Sequence, residues 1–182
     1  LMRHIGDKEA TVDDYIMLLQ YMMFLEKDKA TVEAMIAQAV ERFADDEQML
    51  AFEGFYYTEK GDYSRALKIF KRGLATAKKS GNDKLRSQWL GYIGDTYHMM
   101  GKEMKSFMAY ADALHYDQNN VPVLNNYAYY LSLTGRGLDK ALAMSELAIS
   151  LEKSNATYID TYAWILHLMG RSEEAKRVML RA

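Results

Sequence analysis

The stretch SQWLGYIGDTYHMMGKEMKSFMAYADALHYDQNN, residues 87–120, decides how the rest of the chain is read. Apolar and small residues recur at helical spacing on both sides of Gly101, so it reads as a helix, a tight turn and a second helix. Working outward, the same residue types return at the same offsets. Gly61, Gly101, Gly135 and Gly170 hold the turn position of successive units, and Lys27 holds it in the first. Gln20, Gly54, Gly94, Ala128 and Ala163 mark where the two helices of a hairpin cross. Two further small-residue series follow: Val32, Ala66, Ser106, Ala141 and Ala175, then Ala39, Gly73, Ala113, Ala148 and Ala182. Small residues at such places let helix backbones approach to about 8 Å. Self-similarity at this period predicts stacked helical hairpins.

The units so defined are residues 13–46, 47–86, 87–120, 121–155 and a shorter 156–182. Residues 1–12 read as the end of a preceding segment, with Gly6-Asp7 as a helix stop and Thr11 as a candidate cap. In the first unit Ile16, Leu19, Met23 and Phe24 are expected to form the inward stripe, followed by Val32, Met35, Ile36, Ala39, Val40 and Phe43. Asp45 or Asp46 would cap the third helix. Ala66, Ile69, Phe70, Gly73 and Leu74 face inward in the fourth, and Ser80-Gly81-Asn82-Asp83 ends it. Pro122 fits the first turn of its helix. The second unit is longer by about six residues, assigned to its second helix and the following loop. Most methionines are assigned to core offsets, as in Met35, Met99 and Met179.

The 182 residues are 49% hydrophobic and 26% charged, which suits a folded chain. The sequence has no cysteine, so disulfides are excluded. No apolar run reaches the ~20 residues needed to span a bilayer. The opening LMRHIGDKEA has neither an initiator Met nor a signal peptide, and reads as a piece of a longer protein. The net charge of −2 gives no global basic field for nucleic acid, and none is expected as a partner. Charge is concentrated locally: residues 60–86 hold 9 Lys/Arg against 2 Asp/Glu.

The pattern resembles the tetratricopeptide repeat, whose ~34-residue unit carries G-x2-Y in the first helix and A-x3-F in the second. Gly54-Phe55-Tyr56-Tyr57, Gly94-Asp95-Thr96-Tyr97 and Ala66 through Phe70 carry it, and Ser106 through Tyr110 is a softened copy. The resemblance implies an all-α, right-handed α-solenoid of about five hairpins over residues 13–182. Gln20 and Lys27 depart from it, and the last unit lacks the solvating cap helix such arrays need. More chain, or a partner, is expected to cover that end. Residues 124–175 are similar to repeat proteins common in Bacteroides-type bacteria, many exported or lipid-anchored. This resemblance implies a cell-envelope location, with the cytoplasm as the alternative.

No phosphate loop, dinucleotide fingerprint, zinc-protease motif or nucleophile elbow occurs, so neither enzyme activity nor a cofactor is expected. His98 and His167 share a repeat position but lie two repeats apart, too far to share a metal. Arg65, Lys68 and Arg72 lie on one helix face, turned to the convex side by the repeat geometry. A solvated outer face is the plain reading of this patch, and docking of an acidic partner or anionic lipid is the sharper one.

The resemblance also implies which residues line the concave groove. These are Gln48, Phe52, Phe55 and Glu59, then Tyr92, Asp95 and His98, then Asn125, Asn126 and Tyr129, then Asp160, Trp164 and His167. Gln88, Thr58, Met99, Ser132, Thr161 and Leu168 complete the same positions. Phe55, Tyr129 and Trp164 form an aromatic row interrupted by Asp95. The face carries acids and amides but no Lys or Arg, which argues against a clamp for a C-terminal carboxylate. The function expected is binding of a protein or peptide in that groove. Alternatives are a structural module for self-association or for tethering a neighbouring domain, and glycan binding by the aromatic and amide groups.

Overall fold

The computed structural model describes residues 9–180, and these are helical with no strand among them. The helices are α1 (Val12–Phe24), α2 (Lys29–Arg42), α3 (Glu47–Glu59), α4 (Tyr63–Ser80), α5 (Asp83–Met99), α6 (Glu103–Tyr116), α7 (Val121–Leu133), α8 (Leu138–Leu151), α9 (Ala156–Leu168) and α10 (Ser172–Met179). They pair in chain order as five hairpins, the architecture of an α-solenoid. The chain forms two compact units, residues 1–80 with α1–α4 and residues 81–182 with α5–α10. Gly6-Asp7, His4 and Ala182 lie outside the described residues.

Local chemistry starts each first helix. Thr11 and Asp14 form a reciprocal capping box at α1. Asp46, rather than Asp45, caps α3 by accepting from the N–H groups of Gln48 and Met49. Asn82, Asn120 and Asn155 cap α5, α7 and α9 in the same way. The Asn82 cap moves the start of α5 to Asp83, four residues before the expected unit boundary at Ser87. Part of the extra length of the second unit therefore becomes an additional turn of α5.

The turn glycines 61, 101, 135 and 170 all have positive φ, between 67° and 78°. In the first hairpin Lys27 does not take this role. Glu26 does, at φ 51°, one residue earlier in the repeat.

The small-residue seam is present within both units. A Cβ on Gly54 would collide with the Phe70 ring of α4, and one on Gly94 would meet the Tyr110 ring of α6 at 2.5 Å. Ala66, Ser106 and Ala141 are fully buried, as are Ala39, Ala113 and Ala148. Gln20 is exposed, and with the turn at Glu26 the matching crossing position of the first hairpin is the buried Leu19, so no small residue stands there.

Two sequence expectations about the core are corrected. In α1 the buried residues are Tyr15, Leu18, Leu19 and Met22, while Phe24 is 81% exposed. The stripe is rotated because Tyr15 joins the core, its ring meeting Phe43 edge-on at 5.6 Å. Met99 and Met179 are exposed and Met35 is only half-buried, whereas Met22, Met49 and Met144 fill the core. The flexible thioether packs wherever neighbours leave space, so helical offset alone does not place it.

Candidate functional site

In the unit of residues 81–182, the first helices α5, α7 and α9 carry two open concavities. The first, about 390 Å³, lies between α5 and α7. Gln88, Tyr92 and Asp95 project from α5 and Asn126 from α7, with Asp117 and Glu152 on the loops beside them. Asp95 is half-buried and rigidly held. Its Oδ1 accepts from the Tyr110 hydroxyl at 2.5 Å and from Asn126 Nδ2 at 3.0 Å. Burial pushes its carboxyl above the usual carboxylate range, outweighing both hydrogen bonds and the nearby His98, which act the other way. Burial and the adjacent Asp95 likewise push the Tyr110 phenol up, keeping it a donor.

The second concavity, about 410 Å³, joins Tyr129 of α7 to Asp160, Trp164 and His167 of α9, with Lys176 of α10 on its rim. Tyr129 and Trp164 are 39% and 40% exposed, so each offers a large part of its ring to solvent. The His167 ring lies 6.1 Å from that of Trp164, and its Nδ1 contacts Ser172 Oγ at 3.0 Å.

In the unit of residues 1–80, Phe52, Phe55 and Glu59 line a concavity of about 300 Å³ with Met23 and Gln20. Phe55 is 43% exposed, yet its ring meets Phe70 edge-on at 5.5 Å, so one edge already packs inside the hairpin. Gln48 is exposed at the start of α3.

Three residues expected on the groove face are placed differently. Asn125 is buried at 5% exposure, and its amide donates to Asn126 Oδ1 at 3.3 Å, so it does not face the groove. Ser132 and Thr161 are buried as well. His98 stacks on Tyr130 with ring centroids 3.6 Å apart, and Tyr130 continues to Tyr110 and then Tyr127 as an aromatic ladder. That ladder was not legible in the sequence, because its rings come from three helices.

The expectation that no cation joins the groove is also corrected. Lys84 lines the first concavity and Lys176 the second. Lys84 lies in the turn that the early start of α5 adds, and Lys176 comes from a second helix. In the unit of residues 1–80, Arg65 sits over the Tyr57 ring at 4.1 Å and Arg72 pairs with Asp45 at 3.4 Å. Lys68 remains exposed between them. Two of the three cations are thus engaged locally, Arg65 with a ring of α3 and Arg72 with the α2–α3 connection.

Among the described residues no three His, Asp or Glu side chains gather closely enough to hold a metal ion. No helix among them is long and apolar enough to cross a membrane.

Comparison with solved structures places this geometry. The fold is that of the tetratricopeptide solenoids. BtubC (BKLC) from P. vanneervenii superposes with a TM-score of 0.77 at 14% identity, over 93% of this chain and 77% of that one. PilF from Pseudomonas aeruginosa gives 0.72 at 15% identity, over 96% and 76%. YrrB, described as a TPR protein with an unusual peptide-binding site, gives 0.59 at 15% identity, over 97% and 87%. No family model matches the sequence. No curated protein matches it either.

Proposed function

We propose that the chain is a non-enzymatic interaction scaffold that binds an extended segment of a partner protein on the concave faces of α5, α7 and α9. The observation that carries this reading is the second concavity. Tyr129 and Trp164 present exposed rings beside Asp160, His167 and Lys176, which gives apolar stacking surface flanked by both signs of charge. Exposed aromatics framed by polar groups are the usual anchors of a binding face. YrrB, with its peptide-binding site, shares the fold and supports the same use of it. A single extended segment buries little area, so affinity is expected to be modest. The resemblance of residues 124–175 favours the cell envelope of a bacterium as the chain's location.

The test is Tyr129→Ala combined with Trp164→Ala, with binding read by affinity capture from lysate and membrane fractions. Loss of a partner, with the helical circular dichroism signal unchanged, supports the groove. Full retention of the same partner moves the site elsewhere.

Self-association is the second reading, favoured by α1. Met17, Tyr21, Phe24 and Leu25 are all exposed there, at 57%, 56%, 81% and 45%. Light scattering that shows a monomer at high protein concentration removes this reading.

A further inference from the structure

The α5–α7 concavity carries an observation that the scaffold reading does not use. Asp95 occupies the repeat position that is aromatic in Phe55, Tyr129 and Trp164. Replacing a ring by a half-buried carboxylate is costly unless something returns the lost hydration. Tyr110 and Asn126 return part of it, but both donate to Oδ1. Oδ2 makes no hydrogen bond, and no Lys or Arg among the described residues pairs with Asp95. The carboxylate is thus fixed in place on a cavity of about 390 Å³, with His98 as its neighbouring basic group and no Lys or Arg paired with it among the described residues.

The rest of the lining has the same sign. Asp117 and Glu152 add two carboxylates and Lys84 a single ammonium. The start of α7 does not reverse this balance. Pro122 has no N–H, and the Val123 N–H is already taken by Asn120 Oδ1 at 3.2 Å. An anion would meet few donors there. The carboxylates do not converge as a metal ion requires. They fit an elongated organic cation, which touches one carboxylate at its head and feels the others along its length.

We propose that the α5–α7 concavity is a subsite for the side chain of an arginine or lysine carried by the partner segment, with Asp95 Oδ2 as its acceptor. The Tyr92 ring lines the same cavity and offers a face for the apolar stem or the guanidinium plane. Asn126 holds the carboxylate in its orientation and is a positioning residue. This inference rests on the groove reading and adds the chemistry of one partner residue: the occupant of the groove is basic where it passes α5. Lys84 opposes that occupant and tunes its affinity.

The test is a display library of random linear peptides selected on the wild-type protein, on Asp95→Asn, and on Tyr129→Ala with Trp164→Ala. A selected peptide is then compared with its arginine-to-citrulline version by fluorescence anisotropy. Citrulline keeps the shape and removes the charge. The expected result is enrichment of Arg or Lys at one fixed position on the wild type. Binding should weaken about tenfold or more with citrulline or with Asp95→Asn, the scale of a charge-assisted hydrogen bond. Lys84→Ala should tighten binding about twofold, as removal of a screened like charge. Glu152→Gln, on an exposed loop, gives a milder loss and does not depend on how Asp95→Asn folds. Selected peptides with no basic residue that fail on the Tyr129/Trp164 variant overturn the cation subsite and leave the groove reading standing. Selection that is absent, or indifferent to both variants, overturns both.

Discussion

The α1–α2 and α5–α6 hairpins follow the same sequence period and solve it differently. In α5–α6, Gly94 lets the Tyr110 ring lie against the α5 backbone, and Asp95 fixes that ring through its hydroxyl. Gly101 turns the chain at φ 68° with open space around it. In α1–α2 the left-handed turn residue is Glu26, which bears the Cβ that this conformation disfavours, and the residue standing before it as Gly94 stands before Gly101 is the fully buried Leu19. Both turns close with the same backbone pattern. Lys102 N–H reaches the Tyr97 carbonyl at 2.9 Å, and Lys27 N–H reaches that of Met22 at 3.0 Å. The hydrogen-bonded turn therefore survives the loss of glycine, while a ring laid against the α5 backbone depends on the small residue at Gly94.

The largest expected effect tests that dependence. Gly94→Leu should destabilise the fold by about 1–3 kcal/mol or more, because the Tyr110 ring is held by Asp95 and stacked neighbours and has nowhere to go. A thermal melt identical to wild type would mean the crossing is not tight. At the turns the sign should differ. Gly101→Ala is expected to cost about 1–2 kcal/mol in denaturant titration, whereas Glu26→Gly should stabilise by up to about 1 kcal/mol, relief of backbone strain less the entropy of glycine. Equal responses at the two sites would sink the distinction.

Asp95→Asn sharpens the comparison through pH. Burial raises the Asp95 pKa, so the folded state holds this proton to higher pH than the unfolded chain does. Stability from that group is present below the ordinary carboxylate range and is lost as pH rises through the folded value. The variant should therefore melt above wild type at neutral pH, and the gap should close in acid. A gap independent of pH would assign the effect to packing. A gain in stability combined with loss of binding is the pattern expected of a site kept for function. The smallest effect is expected at Gln20→Ala, within about 0.5 kcal/mol, as for an exposed side chain outside any seam.

Much of the fold was legible because it is encoded locally. Turn glycines, Asn and Asp caps, Pro122 in the first turn of α7 and the small-residue offsets each act within a few residues of themselves. The site was legible in part. Tyr129, Asp160, Trp164 and His167 do meet at one concavity, since repeat spacing stacks equivalent positions. Asn125 was misplaced because adjacent residues on a helix point about 100° apart, and only the packed neighbours decide which of Asn125 and Asn126 is covered. Lys84 was missed because its place depends on where α5 begins, which Asn82 settles through its cap.

The sequence by itself determined the hairpin period, the turns and the identity of the repeat, all set by short-range sterics and hydrogen bonds. Tertiary structure alone decided the ladder from His98 through Tyr130 and Tyr110 to Tyr127, the fixing of the Asp95 carboxylate by Tyr110 and Asn126, and which methionines are exposed. Those features depend on side chains brought together from different helices. Their energies come from burial and from charges meeting across space, which no spacing along the chain specifies.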